Sequence, residues 1–313
     1  MLLISLAALP MPTHASDDTS FSATLDGQWN YDKPAVSELR FRAELANWPQ
    51  GDPRALEVAS QIARAQGLQR KFADAHATLD AIQKQLDGMP AHVRVRYLLE
   101  RGRTFNSSGA PERAVPLFAE ALSLADCAGD SFYAIDAAHM LGIAAPAGER
   151  LDWNMKALAM TERAADARSK RWLAPLYNNI GYTYQDRGDF KTALVYYRKA
   201  LPAYEARGDP AAVRIARWHI ARAQRSLGEL DAAEMTQRAL LAEFEALGEQ
   251  DGYVYEELAE IALARGDAAG ARPWAAKAWT TLNADEGLRE SEPTRLARLA
   301  ALGGVAIAKP PQQ

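Results

Sequence analysis

Six small residues, Ala63, Gly102, Gly142, Gly181, Ala221 and Ala259, follow one another at intervals of 39, 40, 39, 40 and 38 residues. A chain with 20 glycines in 313 residues does not keep such a period by coincidence, so a structural unit recurs. Twelve residues after each of them stand Ala75, Ala114, Asn154, Ala193, Ala233 and Ala271, five alanines in six. Each small residue sits inside an apolar helical pattern, with a turn between the two. That arrangement predicts pairs of antiparallel helices whose backbones come together at the small side chains.

The turns are legible as well. Gly109, Gly188, Gly228 and Gly266 each fall seven residues after the first small position, where a helix ends on a left-handed residue, and Asp189, Glu229 and Asp267 then open the next helix. This reading also accounts for Arg-Gly-Asp, present at 187–189, 207–209 and 265–267. One copy would invite an adhesion-motif reading; three copies at turns between helices point to turn chemistry.

The pattern resembles the tetratricopeptide repeat family, whose units carry an aromatic at slot 4, small residues at slots 8 and 20, an aromatic at 17 and alanine at 27. Tyr177, Gly181, Tyr184, Phe190, Ala193, Tyr197 and Ala200 fill slots 4, 8, 11, 17, 20, 24 and 27 of the best copy, and Gly102, Ala114, Phe118 and Ala121 mark the second. The resemblance covers residues 54–285, about six repeats, and implies an all-α, right-handed α-solenoid of antiparallel helix pairs. The spacing near 39 exceeds the family's usual 34, which implies longer helices. The third copy is irregular, with Pro146 expected in its first helix and Asn154 in an alanine slot, where it reads as a hydrogen-bonded structural asparagine.

Capping helices are expected at both ends of the array. The first, within 35–52, would be capped by Asp32 and present an apolar stripe of Val36, Leu39, Phe41, Leu45 and Trp48. The second, within 290–308, would start at Ser291 and cover the last repeat. Ahead of the array, Leu2 to Leu9 is an apolar run and Thr13-His14-Ala15 offers a cleavage site, so residues 1–15 read as a signal peptide and the protein as exported, periplasmic or secreted. The bland reading is a frayed apolar tail on a cytoplasmic protein. Residues 16–34, rich in Ser, Thr and Asp before Trp29 and Tyr31, read as a flexible leader ending against the first helix.

Composition narrows the chemistry. A net charge of -4 and a pI near 5.8 give no broad footprint for nucleic acid. The single cysteine, Cys127, excludes an intrachain disulfide and a multi-cysteine metal site. None of the five histidines begins a zinc-binding HExxH, and no P-loop or Gly-x-Gly-x-x-Gly is present. No catalytic residue, cofactor or metal site is expected, nor a stable membrane span.

Binding is therefore expected on the concave face, at slots 5, 9 and 12 of each first helix. These positions hold Asn178, Tyr182 and Gln185 in the fourth copy, Trp218, Arg222 and Arg225 in the fifth, and Glu256 and Glu260 in the sixth; His139 stands at slot 5 of the third. A tryptophan among arginines can anchor a peptide that pairs an apolar residue with a carboxylate. The competing reading packs Trp218 under the neighbouring helix and pairs Arg222 and Arg225 with Glu256 and Glu260. His139 reads more simply as a satisfied interior histidine. The five-residue carboxylate clamp by which some family members hold acidic chaperone tails is not matched: of its positions only Asn179 agrees, with His139, Ile143, Ile215 and His219 at the other four. The sequence thus points to a non-catalytic scaffold or adaptor for a protein or peptide partner, with a ligand-sensing module as the alternative. It leaves the oligomeric state open.

Overall fold

A computed structural model describes residues 21–306, and every regular element among them is helical. The expected signal peptide, 1–15, lies outside the described residues. The chain divides into two compact units between Ser169 and Lys170. The first holds α1 (Pro34–Leu45), α2 (Pro53–Leu68), α3 (Phe72–Gln83), α4 (Ala91–Ser107), α5 (Pro111–Cys127), α6 (Ser131–Ala144) and α7 (Arg150–Arg163), with the short α8 (Ala167–Lys170) at the division. The second holds α9 (Leu173–Asp186), α10 (Phe190–Glu205), α11 (Pro210–Ser226), α12 (Leu230–Ala246), α13 (Gly252–Ala264), α14 (Ala268–Leu282), α15 (Glu286–Ser291) and α16 (Pro293–Gly303). Each unit is a run of antiparallel helix pairs, as the period requires. First helices of pairs are α2, α4 and α6 in one unit, and α9, α11 and α13 in the other.

The close approach falls where the small residues predict, but a ring makes it. A Cβ at Gly181 would lie 2.7 Å from the edge of Tyr197, and one at Gly102 would lie on Phe118. Slot 24, rather than the alanine at slot 20, therefore fills the gap left at slot 8. In the third copy Asn154 takes that place: its Nδ2 donates to the carbonyls of Gly142 at 3.1 Å and Arg150 at 2.9 Å. Pro146 lies just beyond the end of α6 rather than inside a helix, because a proline there stops the helix instead of kinking it.

The three Arg-Gly-Asp turns share one geometry. Gly188, Gly208 and Gly266 are left-handed, and Asp189, Asp209 and Asp267 each accept a hydrogen bond from a backbone amide in the first turn of the next helix. Glu229 opens α12 without capping it; its carboxylate accepts from Gln224 instead.

The ends differ from expectation. Lys33, not Asp32, precedes α1, which buries only Ser37 and Phe41, while Val36 and Leu39 are exposed. The stretch read as a flexible leader is helical over 21–26, because Leu25, Phe21 and Trp29 give it an apolar side to pack against Phe41, Val58 and Ile62. At the other end Ser291 closes the short α15, whose cap is Asp285, and the covering helix is α16, starting at Pro293. Leu296 and Leu299 of α16 join Tyr255, Ala275 and Leu282 in the terminal core.

Candidate functional site

In the second unit α11 and α13 line a groove of about 750 Å³, with Tyr182 contributed by α9 and Arg295 by α16. Alanines position these helices: Ala221 and Ala259 are fully buried at the slot 8 positions, so the longer side chains on the opposite arc are left to face the groove. Three large apolar side chains are exposed on its lining, Tyr182 at 46%, Ile215 at 55% and Tyr253 at 36%.

The floor is aromatic and neutral. His219 stacks on Tyr197 with centroids 4.8 Å apart and meets Trp218 edge-on at 4.9 Å. Burial, with Arg222 adding to it, pushes the imidazole down to about 4, so it is uncharged at neutral pH. Trp218 is half-buried: its indole N–H donates to the Tyr253 carbonyl at 3.2 Å, and its ring packs on Leu240, Val254 and Leu258. The tryptophan is thus wedged beneath α13, as the competing sequence reading has it, and Tyr253 and Ile215 present the free apolar surface.

Charge is arranged around Glu257, which sequence reasoning did not single out. Arg225 grips this buried carboxylate with a fork, Nε at 2.7 Å and Nη2 at 2.9 Å, and Arg222 lies 3.9 Å from it while its guanidinium sits 5.5 Å from the Trp218 ring. Burial disfavours charge on Arg225, but the hydrogen bonds and field of Glu257 outweigh it and hold the proton more firmly than usual. Glu256 and Glu260 turn the other way: Arg295 holds Glu256 through Nε at 3.0 and 3.1 Å, and Arg298 pairs with Glu260. The expected pairing of Arg222 and Arg225 with Glu256 and Glu260 is therefore replaced. Adjacent residues on a helix point about 100° apart, so Glu257 faces α11 while Glu256 faces α16. Two neighbouring acids in the otherwise apolar α13 were the signal, since each buried charge needs its own cation.

Of the residues singled out in the sequence, Tyr182, Trp218, Arg222, Arg225, Glu256 and Glu260 line this groove. Asn178 does not, and Gln185 is buried and donates to Ser226 at 3.1 Å, tying α9 to α11. His139 belongs to α6 in the first unit, where burial pushes it down to about 4. Among the described residues no cluster of His, Cys, Asp and Glu is placed to hold a metal ion, and no helix is long and apolar enough to cross a membrane.

A tetratricopeptide repeat model matches residues 176–206, the α9–α10 pair. None of the curated proteins matches the chain in sequence. Among solved structures, the apo form of RapI has a TM-score of 0.64 at 11% identity, covering 93% of this chain and 80% of that one. A tetratricopeptide repeat protein from Parabacteroides merdae gives 0.54 at 14% identity over 91% and 99% of the two chains. A signal-transduction ATPase with a tetratricopeptide repeat sensor, from Pyrococcus horikoshii, gives 0.64 at 13% identity over 90% of this chain and 46% of the other. At these identities the likeness is one of fold.

Proposed function

We propose that the chain, whose α9–α10 pair matches a tetratricopeptide repeat model, is a non-catalytic scaffold or adaptor that docks a segment of a partner protein in the groove of its second unit. The observation that carries this reading is the joint exposure of Tyr182, Ile215 and Tyr253 on one groove lining. Exposed aromatics held on rigid helices beside a guanidinium, here Arg222, are the make-up of an interface anchor. Arg222 has only the long 3.9 Å contact to Glu257, so it is the cation most able to turn to a carboxylate on the partner. Arg225, committed to its fork, keeps the wall in place. The preferred segment carries an apolar residue beside an acidic one.

The test is a photo-crosslinker placed at Ile215, with Met235, 70% exposed on α12 and outside the groove lining, as control. A partner caught at Ile215 and not at Met235, whose binding then weakens about tenfold, roughly 1.4 kcal/mol, on Tyr182→Ala without loss of helicity supports the reading. Equal capture at both positions, or affinity untouched by Tyr182→Ala, sinks it.

A second reading, ligand sensing, is favoured by the polar atoms beneath the groove that no protein group meets, the Tyr197 hydroxyl and the His219 Nδ1. A small molecule that reaches them would raise the melting temperature of the wild type and not of His219→Phe. Export is proposed from residues 1–15 alone; N-terminal sequencing of native protein should begin at Ser16, and recovery of Met1 from the cytosol would refute it.

A further inference from the structure

The inner face of the first unit, made by α2, α4 and α6, is not open. Residues 21–31 lie across it, hydrogen-bonded to α2, α4 and α8, and Arg96 and Arg168 carry the contact on to Tyr133 of α6. Ser22 donates to Glu57 at 2.6 Å; Asp26 receives Arg96 at 2.9 Å and Arg168 at 2.6 Å; the Trp29 indole donates to Gln61 at 3.0 Å. Trp29 stacks on Tyr31 at 4.9 Å, and the Arg64 guanidinium lies 5.4 Å from the Trp29 ring. Beneath, Arg96 also donates to the Tyr133 hydroxyl.

The segment combines a small apolar anchor, Phe21, Leu25 and Trp29 against Phe41, Val58 and Ile62, with polar ties of the kind a bound peptide makes. Those ties are charge-assisted hydrogen bonds to side chains of α2, α4 and α8, with the tryptophan edge-on to Phe41 and near an arginine. Burial alone would push the Asp26 carboxyl up, but Arg96 and Arg168 outweigh it and hold the carboxyl below its ordinary value. Its connection to α1 is exposed from Tyr31 to Lys33 and open to cleavage, and its ties to α1, the Asn30–Ser37 and Gln28–Arg40 hydrogen bonds and the Trp29–Phe41 contact, are ones its departure must break. Beside it a cavity of about 450 Å³, lined by Ser22, His92, Tyr133, Asp166 and Arg168, leaves room for a longer occupant.

We propose that the α2–α4–α6 face is a second binding site, occupied in the resting chain by its own residues 21–31, and that it takes a segment of a partner protein presenting a carboxylate three residues before a tryptophan, as Asp26 and Trp29 do. The chain's own segment and the partner's compete for Arg96, Arg168 and Gln61. The site belongs to the first unit, and its experiment is read separately from that on the groove of the second.

The experiment cuts the tether and leaves the fold. A protease recognition sequence inserted between Asp32 and Lys33, both exposed, is cleaved in the folded full chain, and a fluorescent synthetic peptide of residues 21–31, FSATLDGQWNY, is titrated against it. The proposal expects the cut fragment to be replaced by the peptide with helicity unchanged. It also expects the Asp26→Asn version of the peptide to compete at least tenfold more weakly, and the uncut chain to bind the peptide at least tenfold more weakly than the cut one. A fragment that the peptide cannot replace, or whose departure unfolds α2 and α4 by hydrogen exchange, overturns it, because residues 21–31 are then part of the core. Equal competition by the Asp26→Asn peptide overturns the assigned chemistry.

Discussion

In the first unit Glu57 and Arg96 are 1% and 2% exposed beneath residues 21–31, whereas the corresponding face of the second unit shows solvent Tyr182, Ile215 and Tyr253. Their cores differ too. The first unit has a large cluster running from Leu56 through Leu99 and Phe118 to Leu141 and a smaller one that residues 21–31 complete around Phe41; the second is divided among the surroundings of Tyr197, of Leu240 and of Ala275. The same helix pair, repeated, yields a closed face or an open one according to whether a stretch of chain crosses it. The period therefore sets where first helices stand, and residues outside the period decide which of them are available to a partner.

The sharpest way to break this comparison is to remove one arginine from each unit. Arg96→Ala leaves Glu57 buried with the His92 imidazole at 3.2 Å and the Ser22 hydroxyl at 2.6 Å as its partners among the described residues, and should cost about 3–5 kcal/mol. Arg225→Ala leaves the buried Glu257 with Arg222 3.9 Å away and able to close on it, so a smaller loss of about 1–2 kcal/mol is expected. Hydrogen exchange read helix by helix measures the two separately. Equal losses would mean that Arg222 does not close on Glu257.

Acid should act on both units through a buried histidine in each, and in the first also through His76, which burial and Arg101 likewise depress. His139 and His219 titrate near 4 in the fold, against an ordinary value of 6.5. A depressed histidine pKa means the unfolded chain takes up protons first, so the contribution is complete above pH 6.5 and is lost as pH falls toward 4. Each site can contribute up to about 3 kcal/mol over that window. Asp26, held below 3.8, loses its contribution only at lower pH. His219→Asn should flatten the slope between pH 6.5 and 4 in the second unit only, and His139→Asn in the first only. A slope that survives both changes, beyond what His76 adds in the first unit, assigns the acid sensitivity elsewhere.

Much of this was legible in the residues, and the boundary of legibility has a physical cause. Spacing reports contacts that recur, so Gly181 and Gly188 disclosed the helix pair and its turn. A contact made once has no period: nothing in the run from Ser16 to Pro34 announces that Asp26 meets Arg96 and Arg168, 70 and 142 residues away. The sequence reading put the groove on the first helices of repeats four to six because slots 5, 9 and 12 follow from helix geometry, and a cavity lies along α9, α11 and α13. Its composition departs in more than one place: Asn178 and Gln185 do not line it, and on α13 it is Glu257, rather than Glu256 or Glu260, that pairs with Arg225, since a helical wheel does not say which neighbour each arc faces. Trp218 looked free because an indole off the apolar stripe has no partner on its own helix; its partner is the Tyr253 carbonyl of the next repeat.

The ring-over-glycine contact is common to both units and should respond alike. Gly102→Ala and Gly181→Ala each drive a methyl into an aromatic ring, Phe118 or Tyr197. Overpacking of about 1–3 kcal/mol is partly offset by alanine's better helix propensity, about 1 kcal/mol, leaving a net loss near 1 kcal/mol in each. Gly181→Ala should also disturb the groove floor, because Tyr197 carries the stacked His219. Reduced partner affinity of the folded protein for Gly181→Ala and not for Gly102→Ala would tie that floor to binding, and unchanged affinity in both would separate them.

The smallest effect concerns a turn in which the first repeat differs from others of both units by one side chain. Four repeats end their first helix on a left-handed glycine, at Gly109, Gly188, Gly228 and Gly266, but the first repeat uses Arg70, with φ of 61°. The hydrogen bonds are the same: the amide of Lys71 reaches the Gln66 carbonyl at 2.9 Å, as that of Asp189 reaches Tyr184 at 3.0 Å. A side chain in this conformation costs about 1–2 kcal/mol. Glycine avoids that cost but gives the unfolded chain more freedom, worth about 0.5–1 kcal/mol the other way. Arg70→Gly should therefore stabilise the first unit by roughly 0.5 kcal/mol, and Gly188→Arg should destabilise the second by about as much. Melting curves of the two variants should move in opposite directions. If Arg70→Gly lowers the midpoint instead, the arginine side chain contributes more to the α2–α3 turn than its backbone costs, and the first repeat is held by a contact the others lack.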